Sequence, residues 1–122
     1  MLNREEILHL IKEKNLVSGY IDLETQLTPN GFDLSAAQVH GFRGSGSLDF
    51  SNKQRRLPQT EQLAAVKEQP SDSHGWWTLA PGAYKIVTNE TVSLAQDMIA
   101  IAFPRSSLLR MGAFTQTGVW DA

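Results

Sequence analysis

The sequence contains no cysteine, which excludes disulfides, thiol nucleophiles and thiolate zinc sites. It also lacks an apolar run near the ~20 residues of a membrane span, and its first residues lack the apolar core of a secretory signal. Neither sign of charge dominates, since eleven Lys and Arg against thirteen Asp and Glu give a formal charge of −2. Any anion site must therefore be local, and we expect a cytoplasmic protein that binds neither nucleic acid nor membrane.

Helix and strand patterns predict a mainly β fold that begins with a helix. Asn3 and Glu6 have the spacing of a capping box, and the apolar residues after them predict a helix ending near Asn15. Beyond it, short apolar runs alternate with Gly, Pro, Asn and Ser, which is typical of antiparallel strands joined by tight turns. The predicted strands cover residues 32–42, 76–79, 83–88, 91–94 and 97–103. We expect residues 1–122 to form a single domain.

A polar stretch at 52–73, with two prolines, separates two of the predicted strands. It predicts a long surface excursion with one helical turn at 61–66. Trp76 and Trp77 then begin a predicted strand, so we expect one in the core and the other exposed or at an interface. None of the three histidines has metal-ligand spacing with another, which gives no support to a histidine-based metal site.

The segment PRSSLLRMG, residues 104–112, predicts a helix of about two turns. Pro104 suits the lead into a helix because its φ is already helical, and Gly112 suits the left-handed residue that ends one. Leu108 and Met111 are three positions apart, so they can share a face that packs inward.

The start of this helix has the features of an anion pocket. Its first turn leaves backbone N–H groups unpaired at the positive end of the peptide dipoles, where Ser106 and Ser107 add hydroxyl donors. Arg105 and Arg110 offer planar guanidinium groups that match phosphate oxygens. A surface helix with solvated arginines would have the same spacing, so both interpretations remain open on the residues alone.

Three stretches together resemble one known family. They are LTPNGFDLSA at 27–36, the run from Ala80 to Gly112, and TGVWDA at the end of the chain. They are similar to the trimeric dUTPase and dCTP deaminase superfamily, and most similar to its archaeal-type dUTPase branch. The resemblance implies a dUTPase-like distorted jelly roll with an N-terminal helix and one short helix. It also implies a homotrimer with nucleotide sites between subunits.

The resemblance assigns roles to particular residues. It implies that Asp33 of the Gly-Phe-Asp-Leu block takes part in water-mediated Mg²⁺ binding, and that Asp121 orients the water that attacks the α-phosphorus of dUTP. The implied products are dUMP and pyrophosphate. The implied substrate-binding residues are Arg105, Ser106, Ser107, Arg110 and Thr117. Without the family, Asp33 reads as a strand or turn carboxylate that satisfies nearby N–H groups, and Asp121 as a frayed terminal residue.

The chain departs from the family pattern at its end. Ala122 stands where the pattern continues with Gly-Tyr-x-Gly, further strands, a late Gln and the glutamate of the deaminase branch. We therefore expect a C-terminally incomplete family member that lacks its last strands. Two alternatives to dUTP hydrolysis stay open: deamination of dCTP, with or without the diphosphatase step, and nucleotide binding without catalysis.

Overall fold

A computed structural model describes residues 1–116 and 118–122. The chain forms two compact units: the first consists of Met1–Asp33 and Glu90–Ala122, and the second of Leu34–Asn89. The single domain expected over 1–122 stays a prediction, whereas the mainly β class is confirmed. None of the helices built from the described residues has both the length and the apolar character that a membrane crossing requires.

The described elements follow one another as short pieces. In chain order they are α1 (Arg4–Lys14), β1 (Val17–Ser18), α2 (Leu23–Gln26), β2 (Leu27–Thr28), β3 (Gly31–Phe32), β4 (Ala36–Arg43), β5 (Gln59–Leu63), β6 (Tyr84–Thr88), β7 (Thr91–Val92), β8 (Ile99–Ile101), α3 (Ser106–Arg110) and β9 (Val119–Asp121).

The N-terminal helix forms as its sequence predicts. The side chain of Asn3 accepts a hydrogen bond from the Glu6 backbone N–H at 3.0 Å, and the Glu6 carboxylate accepts one from the Asn3 N–H at 2.8 Å. The helix ends at Asn15, whose φ of 54° is left-handed and whose N–H bonds the last turn. Ile7 and Ile11 are buried on its inner face.

The first unit packs its core against this helix. Val17 of β1 pairs with Val92 of β7, and Leu27 of β2 pairs with Phe32 of β3, both antiparallel. Arg4 of α1 donates to the carbonyl of Leu27, which fixes the start of the β2–β3 hairpin relative to the helix. The buried apolar residues of this unit are Ile7, Ile11, Leu16, Val17 and Leu27.

The second unit is built on a three-stranded antiparallel sheet in the order β5-β4-β6. Val39, at its centre, faces Leu63 of β5 and Ile86 of β6, and is 2% exposed. The predicted strand at 83–88 is confirmed by β6. Trp77 is half-buried and its indole N–H donates to the Leu63 carbonyl at 3.1 Å.

Two predictions in this unit were wrong. The helical turn expected at 61–66 is replaced by strand β5, because the edge of β4 offers ladder partners over Gln59–Leu63 and these outweigh a weak helix preference. The strand expected at 76–79 is reduced to an isolated bridge between Trp76 and Val66. Trp76 is 57% exposed, so it supplies no core packing that would extend the pairing.

Other strand boundaries also differ from the predictions. The strand expected at 32–42 is interrupted at residues 33–35, between β3 and β4. The strands expected at 91–94 and 97–103 contract to β7 and β8. The interruption leaves Asp33 outside a ladder, so other groups must bond its backbone.

Candidate functional site

The segment after β8 forms the short helix α3, with Arg105 at its N-cap position. Its five residues make it shorter than the two turns predicted, and Gly112 adopts the expected left-handed φ of 76°. Leu108 is 40% exposed and Met111 79% exposed, so the prediction that they pack inward was wrong. None of the helix residues, Ser106–Arg110, is buried.

The predicted phosphate-binding groups lie on this exposed turn. Ser106 and Ser107 are its first two residues, and Arg110 is its last. All three side chains are exposed, as is Arg105. Since the first N–H groups of a helix lack a partner within it, the backbone and the two hydroxyls can offer hydrogen bonds to an anion.

The structure joins two residues that the sequence placed in separate blocks. Nη1 of Arg105 lies 3.2 Å from Oδ2 of Asp33, although the two residues are far apart in the chain. The Asp33 side chain is 28% exposed and that of Arg105 is 68% exposed. The ion pair therefore stands at the surface, where solvent, a metal ion or a phosphate can reach both groups.

Gln26 bonds both backbone groups of Asp33. The Asp33 N–H donates to the Gln26 carbonyl at 2.8 Å, and the Gln26 side-chain amide donates to the Asp33 carbonyl at 2.8 Å. The same amide donates to Oε1 of Glu90 at 2.6 Å. Gln26 is 8% exposed and Glu90 is 4% exposed, so the two side chains that are bonded to each other next to Asp33 are buried.

Sequence reasoning did not identify Gln26 or Glu90. Gln26 lies in a polar stretch between apolar residues, and Glu90 follows an Asn at the start of a short strand. No spacing connects them, since they are 64 positions apart. One weak signal in the sequence indicates burial of Glu90: its carboxylate comes just before Thr91 and Val92, which form a strand next to the core.

Asp121 lies on β9 and is exposed. It pairs with Ile99, the first residue of β8, and β8 precedes α3 in the chain. The catalytic role of Asp121 stays a prediction. Thr117, predicted to bind substrate, lies outside the described residues.

Asp33 offers one accessible carboxylate, which is the kind of oxygen ligand that a hard, hydrated cation prefers. Among residues 1–116 and 118–122, no three His, Asp or Glu side chains gather as a set of metal ligands. Mg²⁺ does not require such a set, because it keeps several waters and is commonly held by one or two carboxylates together with substrate phosphates. The one accessible carboxylate can serve a metal that arrives with a phosphorylated substrate, whereas the guanidinium and the helix start, both positive, suit its phosphates.

Comparison with known proteins gives a consistent result. A family model described as dCTP deaminase-like matches residues 1–122. The chain is 43% identical over 122 residues to an Archaeoglobus fulgidus protein named a probable deoxyuridine 5'-triphosphate nucleotidohydrolase, covering all of this chain and 68% of that protein. A Methanosarcina mazei protein of the same name is 39% identical over 123 residues, with 100% and 68% coverage.

A third relative matches less of the chain. The deoxyuridine 5'-triphosphate nucleotidohydrolase of Methanocaldococcus jannaschii is 33% identical over 98 residues, which are 80% of this chain and 60% of that protein. No solved structure matches the chain. The resemblance drawn from the Gly-Phe-Asp-Leu block and PRSSLLRMG is confirmed by the match over residues 1–122: the chain belongs to the dCTP deaminase-like family.

Proposed function

We propose that the chain hydrolyses dUTP to dUMP and pyrophosphate in deoxynucleotide metabolism. The observation that carries the proposal is the 3.2 Å ion pair between Asp33 and Arg105, which joins a metal-type carboxylate to a phosphate-type guanidinium. The names of the relatives at 43% and 39% identity support the same substrate. Family membership implies a divalent metal ion, and we assign Mg²⁺ because the ligands are oxygen atoms.

The phosphate-binding role belongs to the start of α3. The Arg105 guanidinium can bond two oxygens of a phosphate at once, and the hydroxyls of Ser106 and Ser107 donate to the same group. Arg110 and Thr117 complete the proposed substrate-binding set, on the family resemblance. In the described structure Nη1 of Arg105 contacts Asp33, so a triphosphate would either bond the remaining N–H groups of the guanidinium or displace this contact.

Asp33 and Asp121 have separate tasks in this proposal. Asp33 would hold the hydrated metal ion, and Mg²⁺ bound there would supply positive charge to neutralise the phosphate oxygens. Asp121 accepts a hydrogen bond from the attacking water, orients its oxygen towards the α-phosphorus and takes its proton. Bond cleavage between the α- and β-phosphates then releases dUMP and pyrophosphate. The protein supplies mainly position and charge complementarity, as is usual in phosphoryl chemistry.

We further propose that the protein works as a homotrimer in the cytoplasm, with each site shared between subunits. The exposed apolar side chains of β8 and β9 support association, because Ile99 is 65% exposed and Val119 is 64% exposed. Light scattering of the intact protein should give three times the monomer mass. A monomer with full activity would contradict both the trimer and the shared site.

Deamination of dCTP is the second candidate, because the matching family model carries the description dCTP deaminase-like. The two reactions differ in their products. The proposed activity yields pyrophosphate from dUTP and no ammonia, whereas a deaminase yields ammonia from dCTP.

The deciding experiment incubates the intact protein with dUTP or dCTP, in Mg²⁺ or in EDTA. Chromatography of the nucleotides and separate assays of pyrophosphate and ammonia report the products. We expect dUMP and pyrophosphate from dUTP when Mg²⁺ is present and no products in EDTA. The Asp33→Asn variant should lose turnover in Mg²⁺ as well. Arg43→Ala is the matched control, since Arg43 pairs with Glu61 at 2.6 Å in the other unit. Ammonia from dCTP without dUTP turnover would reject the proposal in favour of the deaminase.

A further inference from the structure

We propose that Gln26 is a positioning residue that sets the place of the Asp33 carboxylate, and through it the metal-dependent part of nucleotide binding. The inference rests on the proposed function, since it takes Asp33 as the residue that binds the metal. Gln26 itself touches neither nucleotide nor metal in this proposal. It acts through the backbone of Asp33.

The amide of Gln26 uses all of its hydrogen-bonding capacity. Its Oε1 accepts from the N–H groups of Ile21 and Asp22, at 2.7 and 2.9 Å. Its Nε2 donates to the Asp33 carbonyl and to Glu90, as described above. A side-chain amide has two N–H donors and two acceptor lone pairs, so none is left over. A buried amide with four partners has one low-energy position, because any rotation would leave buried groups unpaired.

Glu90 determines which end of the amide faces Asp33. A carboxylate accepts hydrogen bonds, so the NH₂ group of Gln26 must be the end that lies beside Glu90. The same NH₂ group then has its second hydrogen directed at the Asp33 carbonyl. The backbone N–H groups of Ile21 and Asp22 select the same orientation from the opposite side, because they require an acceptor.

Asp33 depends on this clamp because it lies outside the strand ladders. Residues 33–35 separate β3 from β4, and both backbone groups of Asp33 are bonded by Gln26. Its carboxylate, in contrast, points to Arg105 and is accessible. The arrangement holds the backbone rigidly from the buried side and leaves the side chain available, which is what a metal-binding carboxylate requires.

The test separates metal-dependent from metal-independent binding. Calorimetry measures the Kd of a non-hydrolysable dUTP analogue on the intact protein, once in Mg²⁺ and once in EDTA. The Kd in EDTA divided by the Kd in Mg²⁺, called the Mg²⁺ ratio below, reports the contribution of the metal. The Asp33→Asn variant gives the reference value of this ratio for a protein without the carboxylate. Thermal unfolding of each variant reports the fold separately.

Gln26→Glu is the informative change, because it keeps both acceptor bonds from Ile21 and Asp22 but removes the donors to Asp33 and Glu90. We expect the Mg²⁺ ratio to fall about tenfold, near the lower end of the effects seen when a partner of a metal ligand is lost. The Kd in EDTA should stay within about twofold of the parent, since α3 is untouched. Gln38→Glu is the control: Gln38 bonds His40 at 2.9 Å in the other unit, and its replacement should leave the ratio unchanged.

The double variant Gln26→Glu with Glu90→Gln distinguishes positioning from folding. It restores a donor and an acceptor to the buried pair, but it provides no donor from position 26 to the Asp33 carbonyl. We expect the unfolding temperature to recover towards the parent value while the Mg²⁺ ratio stays low.

A parental ratio in either variant would overturn the inference. A parallel loss of affinity in EDTA, or the failure of both variants to fold, would also overturn it, because Gln26 would then serve the fold alone. If Asp33→Asn leaves the ratio unchanged, the metal assignment in the proposed function fails, and the inference fails with it. If the Mg²⁺ ratio falls in Asp33→Asn but in neither Gln26 variant, the inference is rejected and the proposed function stands.

Discussion

Replacing Arg105 by Ala should weaken nucleotide binding strongly and change stability little. The stability effect is limited because the ion pair with Asp33 is at the surface: Arg105 is 68% exposed, so solvent screens the attraction. Pairs of this kind contribute about 0–1 kcal/mol to the free energy of unfolding. The helix itself loses no capping bond, since the Arg105 side chain makes none.

The effect on affinity is larger because phosphate has no other guanidinium at the N-cap of α3. A charge-assisted hydrogen bond contributes about 1.5–3 kcal/mol, which corresponds to an increase in Kd of about 10- to 150-fold. Titration calorimetry with a non-hydrolysable dUTP analogue measures this change, and urea unfolding measures the stability. The loss should shrink at high salt, since screening weakens the parent more than the variant.

Arg43→Ala provides the comparison for this experiment. It removes an exposed arginine that pairs with Glu61 and has a side-chain exposure of 65%, close to that of Arg105. We expect the same small loss of stability and no change in nucleotide affinity. Equal affinities in Arg105→Ala and the parent would refute the phosphate-binding assignment. A loss of several kcal/mol of stability would refute the argument from exposure.

Three further changes test other parts of the description. Asp121→Asn in the intact protein should keep nucleotide affinity and lose turnover, because an amide cannot take a proton from water; near-normal dUTP hydrolysis would reject the catalytic role. Asn3→Ala should lower the free energy of unfolding by about 1 kcal/mol through loss of the cap on α1, measured by urea unfolding, and no change would argue against the capping box. The Ser51 hydroxyl, helped by backbone N–H groups, holds the pKa of Asp49 below its ordinary value, so this turn keeps the resulting stabilisation at neutral pH and loses it as the pH falls through the lowered pKa. Titration of the Asp49 carboxyl by NMR in the parent and in Ser51→Ala should show a higher pKa in the variant, and identical curves would contradict the assignment.

Local signals predicted the elements that local interactions determine. The capping box at Asn3, the strand at 83–88 and the left-handed Gly112 all depend on residues within a few positions of one another. The stretch at 59–63 was misjudged because its strand exists only by pairing with β4. A sequence pattern does not encode that partner, and the intrinsic preference of these residues is weak.

The candidate site shows the same division. Asp33 and Arg105 could be named because each lies in a block that resembles a family, and the structure adds that they meet at 3.2 Å. Gln26 and Glu90 lie in neither block, and their bond joins positions 64 residues apart. The residues proposed to bind a ligand lie in recognisable sequence blocks, whereas the buried residues that bond Asp33 lie in none.

The second unit has ends that lie side by side, and this has a consequence for the order of folding. Within the second unit, the amide of Asn89 donates to the Ser35 hydroxyl at 3.0 Å; within the first, Gln26 links Asp33 and Glu90. The residues of the second unit, Leu34–Asn89, separate the two parts of the first unit in the chain. Once Ser35 and Asn89 are in contact, the loop that must close to join those two parts is effectively shortened from dozens of residues to a few. Loop closure costs less entropy for a shorter loop, and contacts distant in sequence slow folding. We therefore expect the β5-β4-β6 sheet to form first and to act as a template that brings β1 and β7 together.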